Sequence, residues 1–160
     1  MSGNGCLNFK AMDNIKIIRG DIFNTKAQTI VNAVNCVGVM GKGIALAFKS
    51  RYPLMFDVYQ DYCRRKLIDT GKLWLYKGRE CSQWVLNFPT KKHWKHPSRI
   101  EYIEQGLQKF VETYEERGIK SIAFPLLGCG CGGLDKDSVL KLMVQYLSEC
   151  NIPVEIYMGD

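Results

Sequence analysis

Two stretches of this sequence place a glycine-rich segment between a β-branched run and an apolar run. The first is VNAVNCVGVMGKGIALAFKS at residues 31–50, and the second is IKSIAFPLLGCGCGGLDKDSVLKLM at residues 119–143. A β-branched run that ends at glycine predicts a strand, and each following apolar run has the spacing of a helix. A strand that passes through a glycine loop into a helix is typical of sheets with helices on both faces. The two glycine loops therefore restrict the chain to an α/β fold.

The rest of the chain supplies matching elements. The sequence predicts strands at 15–21, 29–35, 73–78, 84–90, 119–125 and 154–158. It predicts helices at 43–49, 54–66, 98–114 and 135–150. The strands at 73–78 and 84–90 are separated by five residues and are expected to pair antiparallel. We therefore expect a three-layer α/β/α domain with a mixed, partly parallel central sheet.

Two helices carry more specific signals. Ser98, followed three residues later by Glu101, is a capping-box pattern, and Gly118 is the expected helix stop. An apolar stripe then runs along this helix at Ile100, Ile103, Leu107, Phe110, Val111 and Tyr114. The helix at 54–66 has apolar residues on one side at Leu54, Val58, Tyr62 and Cys63.

Length and composition narrow the class of protein. The 160 residues suit one domain, with residues 1–14 expected as a loosely ordered N-terminal extension. With 46% hydrophobic residues and no apolar stretch of about 18 residues or secretory signal, a cytoplasmic protein without membrane contact is expected. The seven cysteines form an odd set without C-x-x-C spacing, which favours reduced thiols.

Basic residues are concentrated in one segment. The chain has a net charge of +6, and KKHWKHPSR at residues 91–99 holds four Lys or Arg together with both histidines. Lys92, Lys95 and Arg99 can neutralise phosphates, and His93 and Trp94 offer faces for an unstacked base, so single-stranded DNA is a candidate partner. The alternative for Trp94 is packing against the following helix. His93 and His96 with Cys129 and Cys131 match no defensible zinc pattern, so no metal is expected.

The glycine loops themselves suggest a phosphate site. Free amides at the start of a helix and glycine backbone can surround phosphate oxygens, and two such loops could hold a diphosphate. GVMGKGI is not a P-loop, and no G-x-G-x-x-G opens a helix. The alternative is that the glycines only make tight turns.

RGDIFNTKAQTIVNAVNCVGVMGKGIALAFK, followed later by FPLLGCGCGGLD, resembles the macrodomain family of ADP-ribose binders from Ile15 onward. The resemblance implies that Asp21 accepts the adenine amino group, that Ile22 supplies a backbone amide, and that Asn35 contacts the distal ribose. It also implies that the diphosphate and this ribose lie between two groups of loop residues, with Thr90 beside them. These are Gly41, Lys42, Gly43 and Ile44, and Leu127, Gly128, Cys129, Gly130, Cys131, Gly132, Gly133 and Leu134.

NFPTKKHWKHPS resembles the lysine-dependent macrodomains, which are the terminal ADP-ribose protein glycohydrolases and the DarG-type antitoxins that remove ADP-ribose from DNA. This resemblance places the catalytic lysine at Lys91, with Lys42, Lys92 and Lys95 as nearby alternatives, and implies no cofactor. Gly132 stands where the protein glycohydrolases have an aspartate, which favours DNA as the substrate. The nearest acid, Asp135, is expected to be a helix N-cap.

The resulting hypothesis is an ADP-ribosyl glycohydrolase with a possible cognate ADP-ribosyltransferase. A non-catalytic sensor of ADP-ribose or a related metabolite is the first alternative, and a phosphatase acting on ADP-ribose phosphate is the second. The two alternatives share the expected cavity but do not require a nucleophilic lysine.

Overall fold

The computed structural model describes residues 13–80 and 82–159. Six strands form one sheet, and they are β1 (Ile15–Ile18), β2 (Thr29–Val34), β3 (Trp74–Tyr76), β4 (Trp84–Pro89), β5 (Ile122–Pro125) and β6 (Val154–Tyr157). The strand order is β1-β6-β5-β2-β4-β3. Every neighbouring pair is parallel except β3 and β4, which confirms the predicted antiparallel pair and the mixed sheet.

Within the described residues, four α-helices cover the sheet. They are α1 (Gly43–Arg51), α2 (Pro53–Arg64), α3 (Ile100–Thr113) and α4 (Lys136–Leu147), and a short 3-10 helix spans Ile22–Asn24. One apolar cluster joins α3 and α4 to one face of the sheet, and a second joins α1 and α2 to the other face. The three-layer α/β/α architecture expected from the sequence is therefore confirmed.

The start of α3 differs from the capping-box prediction. Arg99 is the N-cap and makes no side-chain capping bond, whereas Ser98 is buried and its N–H donates to the Gly132 carbonyl at 3.0 Å. The prediction was wrong because Ser98 packs against the second glycine loop instead of facing the first turn of α3. The stripe itself is largely correct, since Ile103, Leu107, Phe110 and Tyr114 are buried, but Ile100 is 38% exposed.

Helix α2 buries a face that only partly matches the prediction, since Cys63 is buried but Val58 and Tyr62 are half-buried. Met55, Tyr59 and Cys63 are its buried residues, while Leu54 is 60% exposed. Pro53 occupies the first turn of the helix, and the buried face is the one that packs against the sheet. The same four-residue spacing fits both sides, and the sequence pattern could not distinguish them.

The structure describes only part of the predicted N-terminal extension. Residues 1–12, which make up most of the predicted N-terminal extension, lie outside the described residues. The Asn14 side chain donates to the carbonyls of Leu147 and Ile152, both at 3.1 Å.

Five cysteines within the described ranges are free thiols. No helix in these ranges has both the length and the apolar character to cross a bilayer.

Candidate functional site

A cavity of about 790 Å³ lies at the carboxyl ends of the parallel strands. Its walls come from the segments that follow β2, β4, β5 and β6, because strands that run in the same direction end at the same edge of the sheet. In open α/β sheets this edge is where ligands bind. The volume is in the range of small-molecule sites.

Most of the predicted site residues line this cavity. They are Asn35, Gly41, Lys42, Gly43, Ile44, Thr90, Lys91, Trp94, Gly128, Cys129, Gly130, Cys131 and Gly132. The structure thus brings the first glycine loop, the second glycine loop and the predicted lysine to one place.

Other predicted residues lie outside the cavity wall. Leu127 is fully buried in the core, and Leu134 packs against the same cluster, so both support the second loop from behind. Ile22 is also buried, and Gly133 lies beyond the residues that line the wall. Of the basic segment, only Lys91 and Trp94 line the cavity, and Lys92, His93, Lys95 and Arg99 lie outside its lining.

Asp21 stands at the start of the 3-10 helix. Its carboxylate accepts the Phe23 N–H at 2.9 Å, and the side chain is exposed beside the cavity instead of lining it. The preceding residue, Gly20, donates its N–H to the carbonyl of Gly159, which does line the cavity. Asp21 is therefore close to one end of the cavity.

The sequence analysis missed the wall formed by β6. Tyr157, Met158 and Gly159 line the cavity beside Pro125 and Leu126 at the end of β5. The only signal was the glycine after a predicted last strand, and nothing in the sequence placed that strand next to β5. Lys136, the first residue of α4, lines the cavity together with Lys42 and Lys91 and was not predicted.

The first glycine loop is held by side chains. The Asn35 Nδ2 donates to the Val39 carbonyl at 2.7 Å, and the Asn35 Oδ1 accepts the N–H groups of Val37 and Val39. The buried Tyr59 hydroxyl donates to the Asn35 carbonyl at 2.7 Å and lies 2.9 Å from its Oδ1. Asn35, predicted to contact a ribose, therefore also fixes the shape of the loop.

The first loop leads directly into the N-terminus of α1. Lys42 is the N-cap and makes no side-chain capping bond, and Gly43 has φ +57°. A left-handed conformation at the first helical residue favours glycine. The free amides and positive dipole end of α1 face a cavity that also contains the Lys42 side chain, so this wall suits an anion.

Backbone contacts hold the second glycine loop. Leu134 N–H donates to the Gly128 carbonyl at 2.9 Å, and Gly133 N–H donates to the Gly130 carbonyl at 3.3 Å. A Cβ on Gly132 would lie 2.4 Å from both the Gly128 carbonyl oxygen and the Ser98 Oγ, so no side chain fits there. At Gly130 a Cβ would have no heavy atom within 4 Å, which leaves bare backbone facing the cavity.

Lys91 follows β4 and is half-buried. Its ammonium donates to the Trp94 carbonyl at 3.4 Å, and its own carbonyl accepts the Cys36 thiol at 3.3 Å. Burial raises the pKa of the Cys36 thiol to about 12, so it stays a protonated donor at neutral pH. The Thr90 N–H donates to the Val34 carbonyl at 2.8 Å, which keeps Lys91 beside the first loop.

The rest of the basic segment lies on the surface near the cavity mouth. Lys92 forms an ion pair with Asp69 at 3.2 Å, and both side chains are about half exposed. Trp94 is 49% exposed, with the His93 ring centroid 5.4 Å away and the Lys95 ammonium 5.2 Å from its ring centroid. The exposed face of Trp94 argues against the alternative that it packs under α3.

Asp135 is a helix cap, as predicted. Its Oδ2 accepts both the Ser138 N–H at 3.0 Å and the Ser138 hydroxyl at 2.8 Å. The Ser138 amide is the main reason why the pKa of Asp135 is lowered. Across residues 13–80 and 82–159, no group of three or more His, Cys, Asp or Glu side chains is arranged to hold a metal ion.

Comparison with known proteins agrees with the resemblance to macrodomains. A family model for the Macro domain matches residues 31–143. The chain is 43% identical to a DNA ADP-ribosyl transferase-DNA ADP-ribosyl glycohydrolase fusion protein of Thermosipho africanus, over 93% of this chain and 43% of that protein. It is 40% identical to a DNA ADP-ribosyl glycohydrolase of Thermus aquaticus, over 91% of this chain and 41% of that protein. The chain thus spans less than half the length of these curated relatives.

Solved structures agree in fold. The Thermosipho africanus DarTG in complex with ADP-ribose superposes with a TM-score of 0.87 at 44% identity, covering 94% of this chain and 42% of that one. The macrodomain of Mycobacterium tuberculosis DarG superposes with a TM-score of 0.86 at 41% identity, covering 91% of this chain and 98% of that one. From the family match and this agreement over nearly the whole of a solved macrodomain, we conclude that the chain belongs to the Macro domain family.

Proposed function

We propose that this chain binds ADP-ribose in the cavity and hydrolyses the bond that joins it to a modified substrate, with DNA as the favoured substrate. The observation that carries the proposal is the position of Lys91. This lysine lines the same cavity as both glycine loops, and its carbonyl is fixed by the thiol of Cys36. A non-catalytic binder would not require a lysine there.

The cavity offers separate sites for the parts of ADP-ribose. The diphosphate lies between the N-terminus of α1 and the bare backbone at Gly130, with Lys42 and Lys136 nearby to balance its charge. Asp21 accepts the adenine amino group at the part of the cavity lined by Gly159. A carboxylate only accepts hydrogen bonds at neutral pH, which suits an exocyclic amine. The distal ribose then lies beside Asn35 and Lys91.

Lys91 acts as the nucleophile in this proposal. After the Lys91 ammonium gives up one proton to water, its amine forms an N–C bond with the anomeric carbon of the distal ribose while the bond from that carbon to the substrate breaks. The leaving atom keeps the electron pair and takes a proton, and the attacking amine loses one. Water then replaces the lysine, which releases ADP-ribose and restores the amine. The half-buried side chain and its contact with the Trp94 carbonyl limit the positions that the amine can reach.

The second glycine loop contributes no acid to this step. Gly132 cannot carry a side chain in this conformation, and Asp135 is occupied by Ser138. The lysine is therefore the candidate for the covalent role.

Three observations favour DNA over protein as the substrate. Trp94 lines the cavity and exposes half of its side chain at the mouth, where a base of a single strand can stack. Relatives at 40–45% identity carry the name DNA ADP-ribosyl glycohydrolase. Lys95 and Arg99 lie in the same exposed segment and suit backbone phosphates.

A cognate ADP-ribosyltransferase is the proposed functional partner. The relative from Thermosipho africanus joins both activities by name in one fusion protein. A transferase that modifies DNA would supply the substrate from which this chain removes ADP-ribose.

Release of ADP-ribose from modified single-stranded DNA and from modified protein, measured side by side, tests the proposal. We expect release from DNA by the wild type and loss of about a thousand-fold or more in Lys91→Ala, since a nucleophile acts in the transition state. The affinity for free ADP-ribose should remain within a few-fold in this variant. Lys109→Ala, which removes an exposed lysine from α3, is the matched control and should retain full turnover.

Three outcomes would contradict parts of the proposal. Turnover retained in Lys91→Ala would exclude the lysine nucleophile and favour water activation or the phosphatase alternative. Release from modified protein alone would exclude DNA as the preferred substrate. ADP-ribose binding without release from either substrate would leave a sensor.

A further inference from the structure

Ser98 has a buried hydroxyl that the proposed reaction does not use. The residue is 5% exposed, and its Oγ has no hydrogen-bond partner within the described part of the chain. Its N–H, by contrast, donates to the Gly132 carbonyl at 3.0 Å and ties the basic segment to the second glycine loop. Leaving a buried hydroxyl unpaired costs free energy, so a native protein seldom retains one without a reason.

The hydroxyl faces a gap in the second loop. A Cβ on Gly132 would lie 2.4 Å from both the Ser98 Oγ and the Gly128 carbonyl oxygen, so these two oxygens border the same gap and are separated by no more than twice that distance. The Gly128 carbonyl already accepts the Leu134 N–H at 2.9 Å, but a carbonyl oxygen has a second lone pair. The two oxygens can approach this closely because residue 132 has no side chain between them.

We propose that Ser98 is a positioning residue for ligand binding, whose hydroxyl donates to the Gly128 carbonyl once the loop closes on a diphosphate. The proposal rests on the proposed function, because it requires that the second loop bind the diphosphate of ADP-ribose. Gly128 and Gly132 both line the cavity, so a shift of the loop that narrows the gap also moves backbone that faces the ligand. The free protein carries the cost of the unpaired hydroxyl, and ligand binding removes this cost.

A second residue in the fold provides a matched control. Thr29 is fully buried, and its Oγ1 also lacks a partner among the residues described. It begins β2, whose other end reaches the cavity, so it lies roughly 16 Å from Val34 at 3.3 Å per residue. Thr29→Val and Ser98→Ala therefore each delete one unpaired buried hydroxyl, but only Ser98 is next to the second loop.

The experiment compares thermal stability without ligand and calorimetric affinity for ADP-ribose in the wild type, Ser98→Ala and Thr29→Val. Both variants should melt at the wild-type temperature or up to about 2–4 °C above it, because each loses an unsatisfied polar group. Ser98→Ala should bind ADP-ribose about three- to ten-fold more weakly, which is the size of one neutral hydrogen bond. Thr29→Val should bind with wild-type affinity.

Each other outcome overturns the proposal in a distinct way. Equal affinity of Ser98→Ala and the wild type excludes the ligand-linked hydrogen bond while leaving the proposed function intact. A lower melting temperature in Ser98→Ala shows that the hydroxyl is already paired in the free protein. Failure of the wild type to bind ADP-ribose overturns both this proposal and the proposed function.

Discussion

The two glycine loops occupy equivalent places, each between a parallel strand and a helix at the same edge of the sheet, but they are fixed in different ways. Side chains shape the first loop, since Asn35 binds its backbone and Tyr59 binds Asn35. The second loop is shaped by backbone bonds and by positions where a side chain would collide, as at Gly132. The comparison shows that similar glycine content can reflect either room for the ligand or room for the protein's own backbone.

The largest effect on stability is expected from adding one methyl group to the second loop. Gly132→Ala would bring a Cβ to 2.4 Å from the Gly128 carbonyl oxygen, so the loop must move, at a cost of about 2–3 kcal/mol in unfolding free energy. ADP-ribose affinity should fall at least about ten-fold, because the displaced backbone lines the cavity. Urea denaturation and calorimetry measure the two quantities.

The same change in the first loop is the control. A Cβ on Gly41 would meet only the Val39 Cγ1, at an ordinary 3.5 Å, so Gly41→Ala should change stability by less than about 0.5 kcal/mol. Equal losses in the two variants would mean that the loops are not held differently.

A smaller effect is expected from Tyr59→Phe, which removes the hydroxyl that holds Asn35. The Asn35 carbonyl loses a buried donor at 2.7 Å, so we expect a loss of about 1–2 kcal/mol in unfolding free energy. ADP-ribose binding should weaken as the first loop becomes less ordered, while the second loop keeps its contacts. Amide hydrogen exchange can distinguish these regions, and faster exchange at Val37 and Val39 without change at Leu134 is the expected pattern. Uniformly faster exchange would contradict it.

The smallest effect on stability is expected from removing the exposed ion pair between Asp69 and Lys92. Desolvation raises the pKa of Asp69, but the Thr70 amide and Lys92 together outweigh it, so this pKa lies below its usual value near 3.8. A lowered carboxyl pKa stabilises the protein above the unfolded value, and this stabilisation is lost as the pH falls through the folded value. Because both side chains are half exposed, Asp69→Asn should cost less than about 1 kcal/mol at pH 7.

Denaturation at several pH values tests the sign of this effect. The difference between Asp69→Asn and the wild type should shrink as the pH falls from the unfolded value near 3.8 through the lower folded value, and disappear once the wild-type carboxyl is also protonated. A difference that persists there would assign the effect to packing instead of charge. Added salt should also reduce the difference at pH 7, since exposed pairs are screened.

Local patterns in the sequence predicted the elements and the two glycine loops, and the resemblance to macrodomains implied other residues of the cavity wall, such as Thr90. The strand, glycine loop and helix order around Asn35 and around Gly130 was visible from spacing alone, and Lys91 follows its strand as the resemblance implied. These features depend on residues that are close together in the chain.

What the sequence did not predict depends on contacts between distant segments. Tyr157 reaches the cavity because β6 lies between β1 and β5, an order that no periodicity encodes. The prediction that Ser98 caps α3 was wrong because Ser98 packs against a loop more than thirty residues away in the sequence. The sequence pattern fits Leu54 and Met55 equally well on the buried side of α2, because packing against the sheet decides between them.

The Tyr59 contact also has a consequence for the time course of binding. A loop that is held by a buried hydroxyl before the ligand arrives does not have to order itself during the encounter. The first loop should therefore add no slow ordering step to association, which attraction between the diphosphate and the basic groups at the cavity accelerates. Differences in affinity among ligands that share this diphosphate should then reside mainly in how long each one stays bound.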